Sequence, residues 1–215
     1  MSASAIKQLR GQTGAGILDC KKALDASNGD VDGAIDWLRA KGIAKAAKKA
    51  GRAATEGVVK AYIHGGGKIG VLVEINAETD FVTMTDEFKE LAHNIALHIA
   101  AAGPEYVSRE EVPQSAVDHE RQVQIQRAIE EGKPQNIAEK MVEGRMGKYF
   151  QEVCLLEQVF VKDDKLTVGE MLTNAVAKIG ENVVVRRFTR YTMGEGLEKK
   201  VDDFAAEVAA TMASN

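Results

Sequence analysis

The hydrophobic period of this chain changes sharply near residue 55, and that change limits what it can fold into. From residue 4 to residue 41 apolar side chains recur every three or four positions; from Val58 to Ile75 they recur at every second one. A spacing near 3.6 builds helices, and a spacing of two builds strands with one face turned to a core. In the first stretch, Ile6 and Leu9 mark a helix stopped by Gly11 and the Thr13-Gly14-Ala15-Gly16 turn. A second helix, Ile17 to Ala26, places Ile17, Cys20 and Leu24 on one core-facing stripe and ends at Asn28-Gly29. Asp30 is a good N-cap for a third, with Val31, Ile35 and Leu38 at i, i+4 and i+7.

In the second stretch, Val59, Ala61 and Ile63 alternate with Val58, Lys60 and Tyr62, and Ile69, Val71, Val73 and Ile75 alternate with Gly70, Leu72 and Glu74. His64-Gly65-Gly66-Gly67-Lys68 joins the two as a hairpin. A third strand is expected over Val183–Thr192. Helices are expected over 86–102 (stripe Phe88, Leu91, Ala92, Ile95, Ile99), 114–131 and 135–153 as a helical hairpin, 167–180 behind the capping box Thr167-Val168-Gly169-Glu170, and 198–212. Strand, strand, helices, strand, helix argues for an α+β fold, an antiparallel three-stranded sheet packed with helices.

Between the two stretches lies the Ala- and Lys-rich run Lys41–Ala54, whose one large apolar residue is Ile43. It reads as a solvated helical connector, with a basic contact surface as the alternative. The boundary falls near residue 54. It divides a three-helix module (1–54) from a core (55–196), followed by a C-terminal helix (197–215).

Composition bears on function mainly by exclusion. The 215 residues are 45% apolar and 28% charged, with a net charge of −4. That is enough apolar surface for a core, and the wrong sign for a protein whose main work is holding nucleic acid. Cys20 and Cys154 form neither a CxxC pair nor a disulfide framework, as expected in a reducing cytosol. No signal peptide and no membrane span is evident, so the expected location is cytoplasmic. Gly67-Lys68 and Gly147-Lys148 are not followed by the hydroxyl residue a phosphate-binding loop needs. His93 and His98 are five apart, about 140° round a helix, and so share no metal-binding face; His64 and His119 have no evident ligand partners. A binding protein, without a metal or cofactor of its own, is the better class than an enzyme.

One segment does not read as scaffolding. The second strand runs out into Glu78-Thr79-Asp80-Phe81-Val82, an acid and a large aromatic just before the next helix, capped at Thr83 or Thr85. Loops between elements are where binding residues gather. Local sequence leaves two readings: Asp80 caps a turn while Phe81 folds into the core, or Phe81 projects as an anchor for a partner's pocket. Off the stripe of the second helix, Leu18 is rotated about 100° from Ile17 and lies near Arg10.

Six blocks, in order, resemble the elongation factor Ts family. They are Leu9-Arg10-Gly11-Gln12-Thr13-Gly14-Ala15-Gly16 with Asp19-Cys20-Lys21-Lys22-Ala23-Leu24, then Lys45–Gly51, Thr79-Asp80-Phe81-Val82, Ile137–Arg145 and Asp203–Ala209. The resemblance implies a ubiquitin-associated-like N-terminal module on an α+β dimerisation core, and elongation factor Tu, GDP-bound and nucleotide-free, as partner. It implies that Phe81 is a wedge near the partner's magnesium site, Asp80 its polar companion, and Thr79 and Val82 the residues that hold the segment's shape. His98 matches a partner-contacting histidine, although its place at the edge of an apolar stripe also suits a packing residue. Lys7, Arg10, Ile17 and Leu18 match module positions that contact the partner's nucleotide domain. Long members of the family carry two core subdomains; this chain has length for one, so a homodimer is expected, through either the 183–191 strand or the 114–153 helices. The rival readings are a protein-interaction adaptor acting through the module and an RNA-binding protein using Lys41–Arg52.

Overall fold

Three short helices, α1 (Ala3–Thr13), α2 (Ile17–Ala26) and α3 (Val31–Ala47), open the computed structural model, which describes residues 3–13 and 15–197. They share a small core of Leu9, Cys20, Ala23, Leu24 and Ala34. The Asp30 carboxylate accepts from the Gly33 N–H at 2.9 Å and fixes the start of α3, as its sequence position leads one to expect. Two expectations need correction. Gly11 does not stop α1, which runs on to Thr13, where the side-chain hydroxyl donates to Leu9 O at 2.7 Å. And α3 continues through the first seven residues of the expected connector, to Ala47, and that stretch is not wholly solvated: Gly42 is buried, and a Cβ there would lie 3.5 Å from that of Ala177 on a core helix. Two helices approach this closely where their side chains are small, so Gly42 and Ala46 face the core while the larger Ile43 points out.

Strands β1 (Glu56–His64) and β2 (Ile69–Ala77) form the expected hairpin, and the last strand, Val183–Thr192, pairs antiparallel with the far side of β2. Register decides which face of β1 is covered. Val58, Lys60 and Tyr62 stand opposite Ile75, Val73 and Val71, so they share the core face with those buried residues. Val59, Ala61 and Ile63 are left on the open face, with Leu72 and Tyr191. A register shift between Glu74 and Ile75 lets Glu74 meet both Arg186 and Arg187, each at 2.7 Å.

After β2 comes a single helical turn, α4 (Asp80–Thr83), and then α5 (Asp86–Ala102), which lays Phe88, Leu91, Ala92, Ile95 and Ile99 across the sheet. The Thr85 hydroxyl caps α5 by accepting from the Phe88 N–H at 3.3 Å. Helices α6 (Gln114–Glu130) and α7 (Gln135–Val153) form the expected hairpin, turned at Gly132 (φ +82°) and closed over Ala128, Ala138, Val142 and Met146. A two-stranded ribbon, β3 (Val159–Phe160) with β4 (Asp163–Thr167), follows; the sequence periodicity does not register it because the strands are so short. α8 (Val168–Ile179) then begins with the full capping box, Thr167 and Glu170 each accepting the other's backbone N–H, and ends at Gly180 in the left-handed region. The last strand, β5, completes an α+β fold in which the sheet order is β1-β2-β5. The helix expected over 198–212 lies outside the described residues.

Candidate functional site

Strand β2 ends in a buried Ala77, and the next residues leave the sheet at that end of its central strand. Thr79 is extended (φ −131°, ψ 155°) and stands at the N-cap of α4. Its side chain does not cap the helix. The hydroxyl donates to Glu181 Oε1 at 2.8 Å and the backbone N–H to Glu181 Oε2 at 3.0 Å. Val82, one turn on, packs against the main core. The Thr83 hydroxyl donates to Asp80 O at 2.6 Å and that of Thr85 to Val82 O at 2.7 Å. The turn is thus fastened at Thr79, Val82, Thr83 and Thr85.

Between these fastenings Asp80 is exposed and Phe81 is 77% exposed. Of the two readings open to local sequence, the one in which Phe81 enters the core does not occur; Phe88, seven residues on, fills that role with no exposed surface at all. Met84 was not singled out from the sequence. It is three residues beyond Phe81, on the same side of a helical turn, and also exposed. Its only advance signal is that spacing. An unbranched thioether beside an aromatic makes an adaptable apolar contact surface.

The module's residues divide differently from expectation. Leu18 is 74% exposed, and Lys7 and Arg10 lie one turn apart on the open side of α1. Ile17, placed by spacing on the core stripe, is instead 57% exposed. It has the right helical phase, but it is the first residue of α2, and the stripe is covered only from Cys20 onward. Ile17 and Leu18 therefore form an adjacent apolar pair on the surface.

His98 is not on a surface in this chain. The periodicity puts it at the edge of the α5 stripe, but the β3–β4 ribbon covers that flank and buries it completely. Its Nδ1 accepts from the Val161 N–H at 3.3 Å, which leaves Nε2–H to donate to Gln158 Oε1 at 2.9 Å; the Gln158 amide in turn donates to Glu152 O at 2.7 Å. Burial pushes the imidazole below the usual histidine range, so it is held neutral. Among the described residues no group of histidine, cysteine or carboxylate side chains could hold a metal ion, and no helix is long and apolar enough to cross a membrane.

A helical module docked on an α+β core, with open apolar residues on rigid turns, is the build of a protein that works by contact with another macromolecule. The family model for elongation factor Ts matches residues 43–195. Elongation factor Ts from Carboxydothermus hydrogenoformans is 61% identical over 215 residues, covering 100% of this chain and 99% of that one. Those of Syntrophomonas wolfei and Desulforamulus reducens are 57% and 60% identical, over 99% and 98% of this chain and 99% and 97% of theirs. The chain belongs to the elongation factor Ts family, and by that membership it is a translation elongation factor.

Proposed function

We propose that this chain is a guanine nucleotide exchange factor. It binds elongation factor Tu carrying GDP and promotes GDP release by disturbing the partner's magnesium and phosphate site. The observation that carries the reading is Phe81, an aromatic 77% exposed on a turn fastened at both ends, in a member of this family. A rigid apolar side chain loses little entropy on entering a pocket, and Asp80 beside it supplies the charge to compete around a bound cation. The protein performs no bond chemistry. It binds the nucleotide-free partner better than the nucleotide-bound one, and linkage then weakens nucleotide binding by the same factor. Lys7, Arg10, Ile17 and Leu18 dock the three-helix module, of the ubiquitin-associated kind, on the partner's nucleotide domain. His98 acts on the partner only through the 158–161 segment that it holds. The test is release of fluorescent GDP from purified elongation factor Tu: a marked acceleration is expected, and a rate unchanged by saturating factor refutes the reading.

The working unit is a homodimer in the cytoplasm, with each chain carrying one wedge. The open face of the sheet supports this: Val59, Ala61, Ile63, Leu72 and Tyr191 make a contiguous apolar layer with none of the described residues of the chain packed on it. This face, rather than the 114–153 helices, is the surface for a second copy. Leu72→Glu should give a monomer in light scattering, and a dimer that survives it would move the interface elsewhere. The adaptor reading is less favoured because α3 packs on α8, which makes the module a part of the core's surface rather than a free unit.

A further inference from the structure

We infer that the turn Gly180-Glu181-Asn182 is a clasp that sets the Phe81 wedge, with Glu181 as its positioning residue. The inference rests on the exchange-factor reading for its purpose and on the hydrogen bonds for its existence. α8 ends at Gly180 (φ +91°), whose N–H closes on Val176 O at 3.0 Å, and the two residues that follow are half-buried before β5 begins. Both meet the 78–79 segment, and the bonds run in opposite directions. Glu181 accepts from the Thr79 N–H and hydroxyl at 3.0 and 2.8 Å, and the Asn182 N–H donates to Glu78 Oε1 at 2.6 Å. Two carboxylates thereby bind two backbone amides crosswise, about a hundred residues apart in sequence.

Such charge-assisted bonds are shorter and stronger than neutral ones, and two of them aligned crosswise fix both position and direction. Thr79 is the residue from which α4 springs, so fixing it aims the turn that carries Asp80, Phe81 and Met84. A free threonine at an N-cap would turn its hydroxyl toward its own helix. Here that bond is given up, which ties the turn to the scaffold instead. Glu78 is held below the usual carboxylate range by the Asn182 N–H and by Arg52, whose guanidinium is 3.5 Å away, so its charge is secure at neutral pH.

The same turn also holds the linker from the three-helix module. Asn182 Nδ2 donates to Arg52 O at 2.8 Å, and Lys49 Nζ donates to Gly180 O. The wedge and the module are therefore registered against one three-residue turn. A partner that docks on the module meets the wedge already aimed, and no ordering of the 79–84 segment is required at the moment of contact.

The test uses the full chain and its Glu181→Gln, Glu181→Ala, Thr79→Val and Phe81→Ala variants. Backbone amide exchange of the free protein reads the clasp directly. Thr79 should exchange about tenfold faster in Glu181→Ala and at its normal rate in Phe81→Ala; an unchanged Thr79 amide in Glu181→Ala overturns the clasp. Fluorescent GDP release from elongation factor Tu reads its purpose. The maximal rate at saturating factor should fall about five- to tenfold in Glu181→Gln and in Thr79→Val, with the half-saturating concentration little changed because the module still docks. The Thr79→Val/Glu181→Gln double variant should fall by little more than either single one, since Thr79→Val deletes the hydroxyl bond to Glu181 and Glu181→Gln weakens that same contact by removing its charge. A purely structural role would lower the melting temperature and leave the maximal rate alone, and that result also overturns the inference. If Phe81→Ala releases GDP normally, the wedge reading fails, while the Thr79 amide still decides whether the clasp exists.

Discussion

Phe81→Ala should separate stability from function. With 77% of its surface already open, Phe81 contributes little to folding, and the variant should unfold in urea within about 0.5 kcal/mol of the parent. If the ring enters a pocket on elongation factor Tu as release proceeds, its burial there is worth about 1.5–3 kcal/mol. At about 1.4 kcal/mol per factor of ten, the maximal GDP-release rate should fall roughly tenfold to 150-fold. Phe88→Ala is the internal control. That ring is fully buried among the α5 and sheet side chains, so its truncation should cost about 3–5 kcal/mol of stability and act on exchange only through the fraction unfolded. The assay is stopped-flow release of fluorescent GDP at saturating factor, with urea unfolding run on the same preparations. A loss of more than about 1 kcal/mol in Phe81→Ala would mean that the ring is packed in solution. A normal release rate with normal stability would falsify the wedge.

Other residues give independent checks. The Asp19 carboxyl is held down to about 2 by hydrogen bonds from Lys41 and Lys45 at 2.7 and 3.0 Å. Its folded value is depressed, so its contribution is complete above about pH 4 and disappears as pH falls toward 2; Asp19→Asn should remove this acid sensitivity at a cost of about 1 kcal/mol, the partly exposed pairs being screened. His98 is held neutral by burial, and the unfolded chain takes up its proton first, so the core should lose stability as pH drops below about 6.5. His98→Leu should abolish that slope and cost about 1–3 kcal/mol by stranding the Val161 N–H and Gln158, measured by urea titration at several pH values. Cys154 is fully buried and its thiol is pushed up to about 11, chiefly by burial, so native protein should leave it unmodified by thiol reagents at pH 8 until it unfolds. Gly57→Ala should destabilise β1 by several kcal/mol in thermal unfolding, because a Cβ there would sit 2.8 Å from Asn76 Cα on the paired strand, where no side chain can swing aside.

The elements that were legible in the sequence are those whose cause is local. The α5 stripe from Phe88 to Ile99, the Thr167–Glu170 capping box, the Asp30 cap and the Gly-rich hairpin turn all depend on residues within a few positions of one another, and each is found where the pattern puts it. The elements that were not legible depend on what lies across from them. Ile17 has the correct phase for the core and is exposed, because none of the described residues covers the first turn of α2. His98 stands at the edge of a stripe and is buried, because a ribbon too short to show a period folds over it. The Lys41–Ala54 run reads as solvated, yet its small residues make a close helix contact with Ala177.

At the wedge the division is the same. The sequence by itself determined an acid and an aromatic at a strand end, the helix that follows, and the family to which such blocks belong. It did not determine the direction of Phe81, since a strand end can send an aromatic inward or outward at similar local energy. The tertiary structure decided that, through Val82 packed on the core on one side and Glu181 gripping Thr79 on the other. It likewise decided which face of β1 stays open, because alternation fixes that there are two faces while only pairing with β2 says which one meets α5. Local propensity fixes what an element is. Contacts between residues a hundred positions apart fix where its side chains point.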